Sequence, residues 1–294
     1  MRRLAVVLTV LVATGVVAWI LRTPEQTELQ LFAGEPVAVV AHRGGAGVAP
    51  ENTMLAFERA VALGVDGLEL DLHLSADGHI VVIHDPTVDR TTDGTGRVSD
   101  LTLAELQTLD AGYAFAAADG TFPYRGQGLT IPTLDEVLSA FPNLPVNMEI
   151  KPDTDGRLVP ALAELLQDHD ALDRVVVTSF DGALLRDFRD RLPGVATNLG
   201  ADELRVFYVL QRLKLHGWYR PPGEMLMIPE VYGDLRLVTP GLLDAASSLG
   251  LSVHVWTVNE PDDMRRLMAM DIDGIITDYP GRLQDVIASE TVSE

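Results

Sequence analysis

Three acidic side chains in apolar surroundings carry the first chemical signal. Glu69 and Asp71 lie two apart in GLELDL, so on a strand they share one face. Glu149 closes a second apolar run, NMEI. Three carboxylates are hard oxygen ligands, suited to Ca²⁺ or Mg²⁺ rather than zinc; the alternative is a set of solvated strand-edge acids. His42 follows the apolar run VAVVA and His84 ends IVVIH. Each alone reads equally as a satisfied core histidine. Together, with Asp71 nearby, they suit a general acid–base pair, because imidazole titrates near neutrality. Arg43 and Lys151 are cations beside the proposed carboxylates, acting as counter-ions or as phosphate contacts. Gly44 and Gly45 follow Arg43 and would let backbone approach a ligand. Trp256 in VHVWTV is core or an aromatic wall for a substrate.

The elements that position these residues alternate. Strand candidates are Val37–Ala41, Gly67–Leu74, Ile80–His84, Val146–Ile150, Val175–Ser179, Ala196–Leu199, Met225–Ile228, Val253–Val258 and Gly274–Thr277, with helical patterns between most of them. Asn52 is placed to cap a helix over Thr53–Leu63 that Gly64 stops; Thr102/Glu105 and Thr133/Glu136 have capping-box spacing. This alternation predicts an α/β fold, a (β/α)8 TIM barrel, with a doubly wound sheet as runner-up. The ninth strand candidate is explained by Asp77-Gly78, a hairpin signal that folds Ile80–His84 back on Gly67–Leu74. A turn centred between Asp77 and Gly78 sets Asp71 opposite His84.

Composition narrows the classes. The 294 residues carry 43 acidic and 22 basic side chains, a formal charge of −21, which speaks against nucleic-acid binding. The absence of cysteine removes disulfides, thiolate zinc sites and thiol nucleophiles. Residues 66–110 hold ten acids against Arg90 and Arg97, in the region of two proposed metal ligands. At the other extreme, Leu4–Leu21 is an uncharged run that would span about 27 Å as a helix, close to a bilayer's hydrocarbon core. Arg2 and Arg3 before it orient the remainder out of the cytoplasm. Its length favours an uncleaved anchor over a signal peptide, which would leave a secreted protein. The expected organisation is an N-terminal transmembrane helix in residues 1–22, a polar linker over 23–35, and a barrel domain over 36–294.

In order along the chain stand His42-Arg43-Gly44, Pro50-Glu51-Asn52-Thr53, Glu69-Leu70-Asp71, His84-Asp85, Glu149-Ile150-Lys151, Ser179-Phe180, Trp256-Thr257-Val258-Asn259 and Thr277-Asp278-Tyr279-Pro280. Across residues 36–290 this resembles the glycerophosphodiester phosphodiesterase family. The resemblance implies metal ligation by Glu69, Asp71 and Glu149, acid–base catalysis by His42 and His84, and, more loosely, phosphate contacts from Arg43 and Lys151. The implied reaction is metal-dependent hydrolysis of a glycerophosphodiester to glycerol 3-phosphate and an alcohol. Its nucleophile is water or the substrate's own 2-hydroxyl.

Leu204–Arg220 departs from the overall acidity, with four basic residues and no acidic one. Val206, Val209, Leu210 and Leu213 recur at helical spacing, with aromatic residues alongside. One reading is a barrel helix with an inward stripe; the other is a segment lying on an anionic bilayer. The Ile131-Pro132-Thr133-Leu134 and Phe141-Pro142-Asn143 motifs resemble the membrane-bound branch of the family, which includes lysophospholipase-D-type enzymes acting on lysophospholipids. Further alternatives are a phospholipase-C-like lyase ending at a cyclic phosphate, and a non-catalytic binding barrel.

Overall fold

The computed structural model describes residues 31–32, 34–152 and 155–291. The Leu4–Leu21 run and most of the linker lie outside them. Among the described residues no helix is long and apolar enough to cross a membrane.

Eight parallel strands form the barrel: β1 (Ala38–Ala41), β2 (Gly67–Leu74), β4 (Val146–Ile150), β5 (Val175–Thr178), β6 (Ala196–Thr197), β7 (Met225–Pro229), β10 (Ser252–Trp256) and β11 (Gly274–Thr277). Their spatial order is β6-β5-β4-β2-β1-β11-β10-β7, and a parallel bridge from Asn198 to Met225 joins the two ends. The predicted barrel is therefore the one observed. These strands read as continuous apolar runs because both faces are covered: helices pack outside, and Ala38, Val40, Val176, Met225 and Ile276 fill the interior above Phe32.

Between the strands run α1 (Met54–Leu63), α2 (Leu103–Leu106), α3 (Leu134–Ala140), α4 (Leu158–Asp168), α5 (Gly182–Arg191), α6 (Ala201–Arg212), α7 (Pro240–Ser247), α8 (Pro261–Met268) and α9 (Pro280–Thr291). Both predicted capping boxes are present, Thr102 with Glu105 and Thr133 with Glu136. Helix α1 is capped by Thr53, whose hydroxyl accepts from the Ala56 amide, not by Asn52. Gly64 ends that helix at φ 78°. Gly44 is buried against the same helix, where a Cβ would stand 2.8 Å from that of Ala56; it serves packing, and neither it nor Gly45 lines the cavity.

Strand β3 (Ile80–Val82) folds back antiparallel on β2 as expected, but one residue out of the expected register. The loop holds five residues, Ser75 to His79, closed by the Ser75 amide on the His79 carbonyl at 2.9 Å. Gly78 at φ 90° lets this odd-numbered loop centre on Asp77. The Ile83 amide, rather than His84, therefore meets the Asp71 carbonyl, at 3.0 Å. The strand ends at Val82, and His84 reaches the cavity from the irregular backbone beyond. The excursion between β3 and α3 carries its own small core of Val81, Ile83, Val88, Val98, Leu106 and Ile131.

Helix α6 overturns the inward-stripe expectation. Val206, Val209 and Leu213 are 51, 49 and 61% exposed, and the helix packs through Phe207, which is fully buried. That one ring contributes about 2 kcal/mol of burial. A small hairpin absent from the sequence-based expectations, β8 (Val231–Tyr232) with β9 (Leu235–Arg236), follows β7.

Candidate active site

The C-terminal strand ends open into a cavity of about 480 Å³. His42, Arg43, Glu69, His84, Glu149, Lys151 and Trp256 all line it. Asp71 lies just behind, 1% exposed. Parallel pairing of β2 with β4 explains the grouping, because it sets Asp71 level with Glu149 and Glu69 level with Asn147. One oxygen from each of Glu69, Asp71 and Glu149 falls within 4.8 Å of the others.

Each acid is held differently. Glu69 accepts the Arg43 amide at 2.9 Å, which the left-handed backbone of Arg43 (φ 50°) aims inward. Asp71 accepts from Asn52 Nδ2 at 2.8 Å and lies 2.8 Å from Lys151 Nζ and 3.3 Å from Arg43 Nε. The Lys151 ammonium also stands 2.7 Å from Glu149. Burial, then the adjacent Asp71 charge, push the Glu69 carboxyl up to about 7. Burial works the same way on Asp71, but Lys151 and Arg43 outweigh it and hold that carboxyl below its usual range. Burial and Asp71 leave Glu149 raised, against the opposing pull of Lys151. Three clustered oxygen donors, one of them reluctant to ionise for want of counter-charge, fit a hard divalent cation.

Both histidines are oriented by carboxylates. His42 Nδ1–H donates to Asp278 at 2.6 Å, and its other nitrogen lies 3.9 Å from Glu69. Burial favours the neutral ring, but the Glu69 charge and the Asp278 hydrogen bond reverse this and raise its pKa above the ordinary value. His84 Nδ1–H donates to Asp85, also at 2.6 Å. Asp85 is gripped by Arg90, Arg90 by Glu51, and Glu51 by Arg43 Nη1 at 2.9 Å, so one ionic chain runs from His84 to Arg43. Arg90 is the main cause of the depressed Asp85 carboxyl.

Sequence reading had assigned no role to Asp278, Asp85, Glu51, Arg90 or Asn147. Asp85 adjoins His84, and Asn147 shares the two-residue spacing of the acidic strand; both signals were available. Asn147 lines the cavity and its buried Oδ1 has no partner among the described residues. Trp256 meets Phe180 edge to face at 5.7 Å, forming an aromatic wall in the cavity.

A closed parallel barrel whose mouth joins two carboxylate-oriented histidines, three clustered acids and two cations defines an enzyme for phosphate esters. The chain belongs to the glycerophosphoryl diester phosphodiesterase family, whose model matches residues 42–282. It is 37% identical over 257 residues to a glycerophosphodiester phosphodiesterase of Caldanaerobacter subterraneus subsp. tengcongensis, covering 85% of this chain and 97% of that one. It is 30% identical to the lysophospholipase D GDPD1 of Homo sapiens, covering 84 and 85%. An Oleispira antarctica phosphodiesterase, solved with the product sn-glycerol-3-phosphate, superposes at a TM-score of 0.69 with 28% identity, covering 85 and 96%. The chain is accordingly a glycerophosphodiester phosphodiesterase, a phosphoric diester hydrolase.

Proposed function

We propose that this chain cleaves glycerophosphodiesters to glycerol 3-phosphate and an alcohol by two-histidine acid–base catalysis at a divalent metal site. The observation that carries the reading is the pair of His–carboxylate contacts facing the acidic cluster. Glu69, Asp71 and Glu149 are the ligands for Ca²⁺ or Mg²⁺; the bound ion would offset phosphoryl charge and lower the nucleophile's pKa. Asp278 and Asp85 fix the ring tautomers so that Nε2 of each histidine serves the substrate. One ring takes the proton of the attacking hydroxyl; the other gives a proton to the departing alcohol oxygen. Arg43 and Lys151 supply fixed positive charge beside the phosphate, and Trp256 with Phe180 walls the leaving group. The test is turnover of glycerophosphocholine by His42→Ala and His84→Ala, each checked for an unchanged melting temperature. Full activity in either variant overturns its assigned role. Phosphorus NMR of early products distinguishes water attack from a cyclic phosphate made by the 2-hydroxyl.

A second substrate class is favoured by the cavity itself. Beyond the polar cluster it is walled by Leu199, Leu204, Tyr208, Met227, Leu235 and Leu237, more apolar surface than a glycerol head group requires. That wall suits the acyl chain of a lysophospholipid and supports a lysophospholipase D activity of the same site. The expected 23–35 linker runs too far, because Phe32 is buried in the barrel interior against His254. In the arrangement we envisage, Leu4–Leu21 anchors the chain, the tether ends before Leu31, and the barrel domain works outside the cytoplasm. Labelling of a Glu58→Cys variant by a membrane-impermeant thiol reagent on intact expressing cells tests that placement; protection until lysis overturns it.

A further inference from the structure

Apolar side chains are displayed on the outside of the barrel by two elements that also line the cavity. On α6, Val206, Val209 and Leu213 fall within about 60° of one another at 100° per residue, all facing solvent. The face continues past the helix through Leu215 and Trp218, the latter 62% exposed. Across the mouth, the β8–β9 hairpin exposes Val231, Tyr232 and Leu235. The two parts are continuous with the cavity: Leu204, Arg205 and Tyr208 of α6 line it from one side, Tyr232 and Leu235 from the other.

Charge says what covers this face. Arg205, Arg212 and Lys214 are exposed and make no ion pair with a described residue. They lie in a stretch without a single acid, on a chain of net −21. On the helical wheel Arg205 and Arg212 sit between the cavity-facing Tyr208 and the solvent-facing Val209. A cationic row therefore separates the mouth from the apolar stripe. A second copy docked here would bring these cations against their own kind. The uncharged Leu4–Leu21 run would cover the apolar stripe and leave the cations unpaired. An anionic phospholipid surface satisfies both halves, phosphates at the arginines and acyl region at the valines.

We propose that the outer face of α6 through Trp218, with the β8–β9 tip, docks on an anionic phospholipid surface and sets the cavity mouth at the bilayer. A lysolipid would then pass its phosphodiester inward without its chain crossing water. This rests on the reading of the cavity as a phosphodiesterase site that admits an acyl chain.

The absence of native cysteine makes the full-length chain directly testable. Single variants Leu213→Cys and Glu58→Cys carry an environment-sensitive fluorophore. Glu58 lies on α1, which follows β1, four strands around the barrel from β6. With vesicles of phosphatidylcholine and phosphatidylglycerol containing nitroxide-labelled lipid, the probe at 213 is expected to shift blue and be quenched, and the probe at 58 is not. Equal responses at the two positions overturn the proposal. So does a probe at 213 already shielded before vesicles are added, which would mean a second copy or the N-terminal run occupies the face. A Val206→Asp/Val209→Asp/Leu213→Asp variant should hydrolyse water-soluble glycerophosphocholine at the unmodified rate. It should lose about tenfold on lysophosphatidylcholine presented in the same vesicles. Retention of both activities by the triple variant also overturns the docking face. Failure of the unmodified chain to hydrolyse glycerophosphocholine would instead sink the phosphodiesterase reading, and fluorescence would still decide the docking.

Discussion

His42 Nδ1–H donates to Asp278 Oδ1 at 2.6 Å, joining the ends of β1 and β11 across 236 residues of sequence. Asp278 is itself fixed by Asn259, which donates Nδ2–H to its other oxygen at 2.7 Å and accepts its backbone amide at 3.0 Å. The histidine is thus aimed by a carboxylate that cannot turn away. Asp278→Asn removes the charge that helps keep the His42 pKa above normal, so that pKa must fall. The limb of the pH–rate profile reporting His42 is expected to move to lower pH, with kcat down by roughly 10²- to 10⁴-fold. An unmoved limb would show that Asp278 only supports the fold.

Metal removal has a readout independent of turnover. EDTA is expected to abolish activity, and calcium or magnesium returned to the chelated protein should raise its melting temperature by mass action, about 2.7 kcal/mol at a hundred times Kd. Glu69→Gln or Glu149→Gln should erase that shift. Calorimetric titration yielding no heat with either ion would remove the metal from the proposal.

Asn52 does two jobs that substitutions can separate. Its backbone sits at φ 56° and its amide donates to buried Asp71 at 2.8 Å. Asn52→Gly keeps the backbone and loses the hydrogen bond to a charged acceptor, about 1.5–3 kcal/mol. Asn52→Ala adds a left-handed penalty of about 1–2 kcal/mol. Urea midpoints should therefore fall in the order Asn52, Gly, Ala. Equal midpoints for Gly and Ala would remove the backbone component.

His254 gives the fold its own pH dependence, away from the chemistry. It is fully buried in the middle of β10, edge-on to Phe32 at 5.3 Å, and burial alone drops its pKa to about 3. The folded protein holds this ring neutral, whereas the unfolded chain protonates near 6.5. Its contribution is therefore complete above pH 6.5 and lost as pH falls towards 3, by up to about 1.4 kcal/mol per unit. His254→Leu should flatten the dependence of unfolding free energy between pH 7 and 5 relative to the unmodified chain. Parallel curves for the two proteins would refute the assignment.

All nine strand candidates and both capping boxes were legible because each depends on residues close in sequence. Parallel barrel strands announce themselves as apolar runs, and a Thr three residues before a Glu is a local signal. The β8–β9 hairpin escaped notice because two-residue strands carry no periodicity. The β2–β3 register slipped by one because a five-residue loop and a two-residue turn look alike around Asp-Gly. The grouping of Glu69, Asp71 and Glu149 with His42 and His84 was legible from the strand pattern and the Asp77-Gly78 turn. Its supports were not: Asp278 meets His42 only through β1–β11 pairing, and Glu51 meets Arg90 across 39 residues. The direction faced by the α6 stripe stayed open between two readings for a related reason. Periodicity finds a stripe, but only packing says which way it points.

The barrel closes through one thin seam. Strand β6 has two residues and meets β7 at a single bridge, Asn198 to Met225, whereas β2 and β4 share five register pairs, as do β7 and β10. Asn198, Leu199 and Met227 beside that seam line the cavity; Glu69 and Glu149 rise from the strongly paired β2 and β4. That bridge is where the barrel has least backbone pairing to lose, away from the β2–β4 pair that carries Glu69, Asp71 and Glu149.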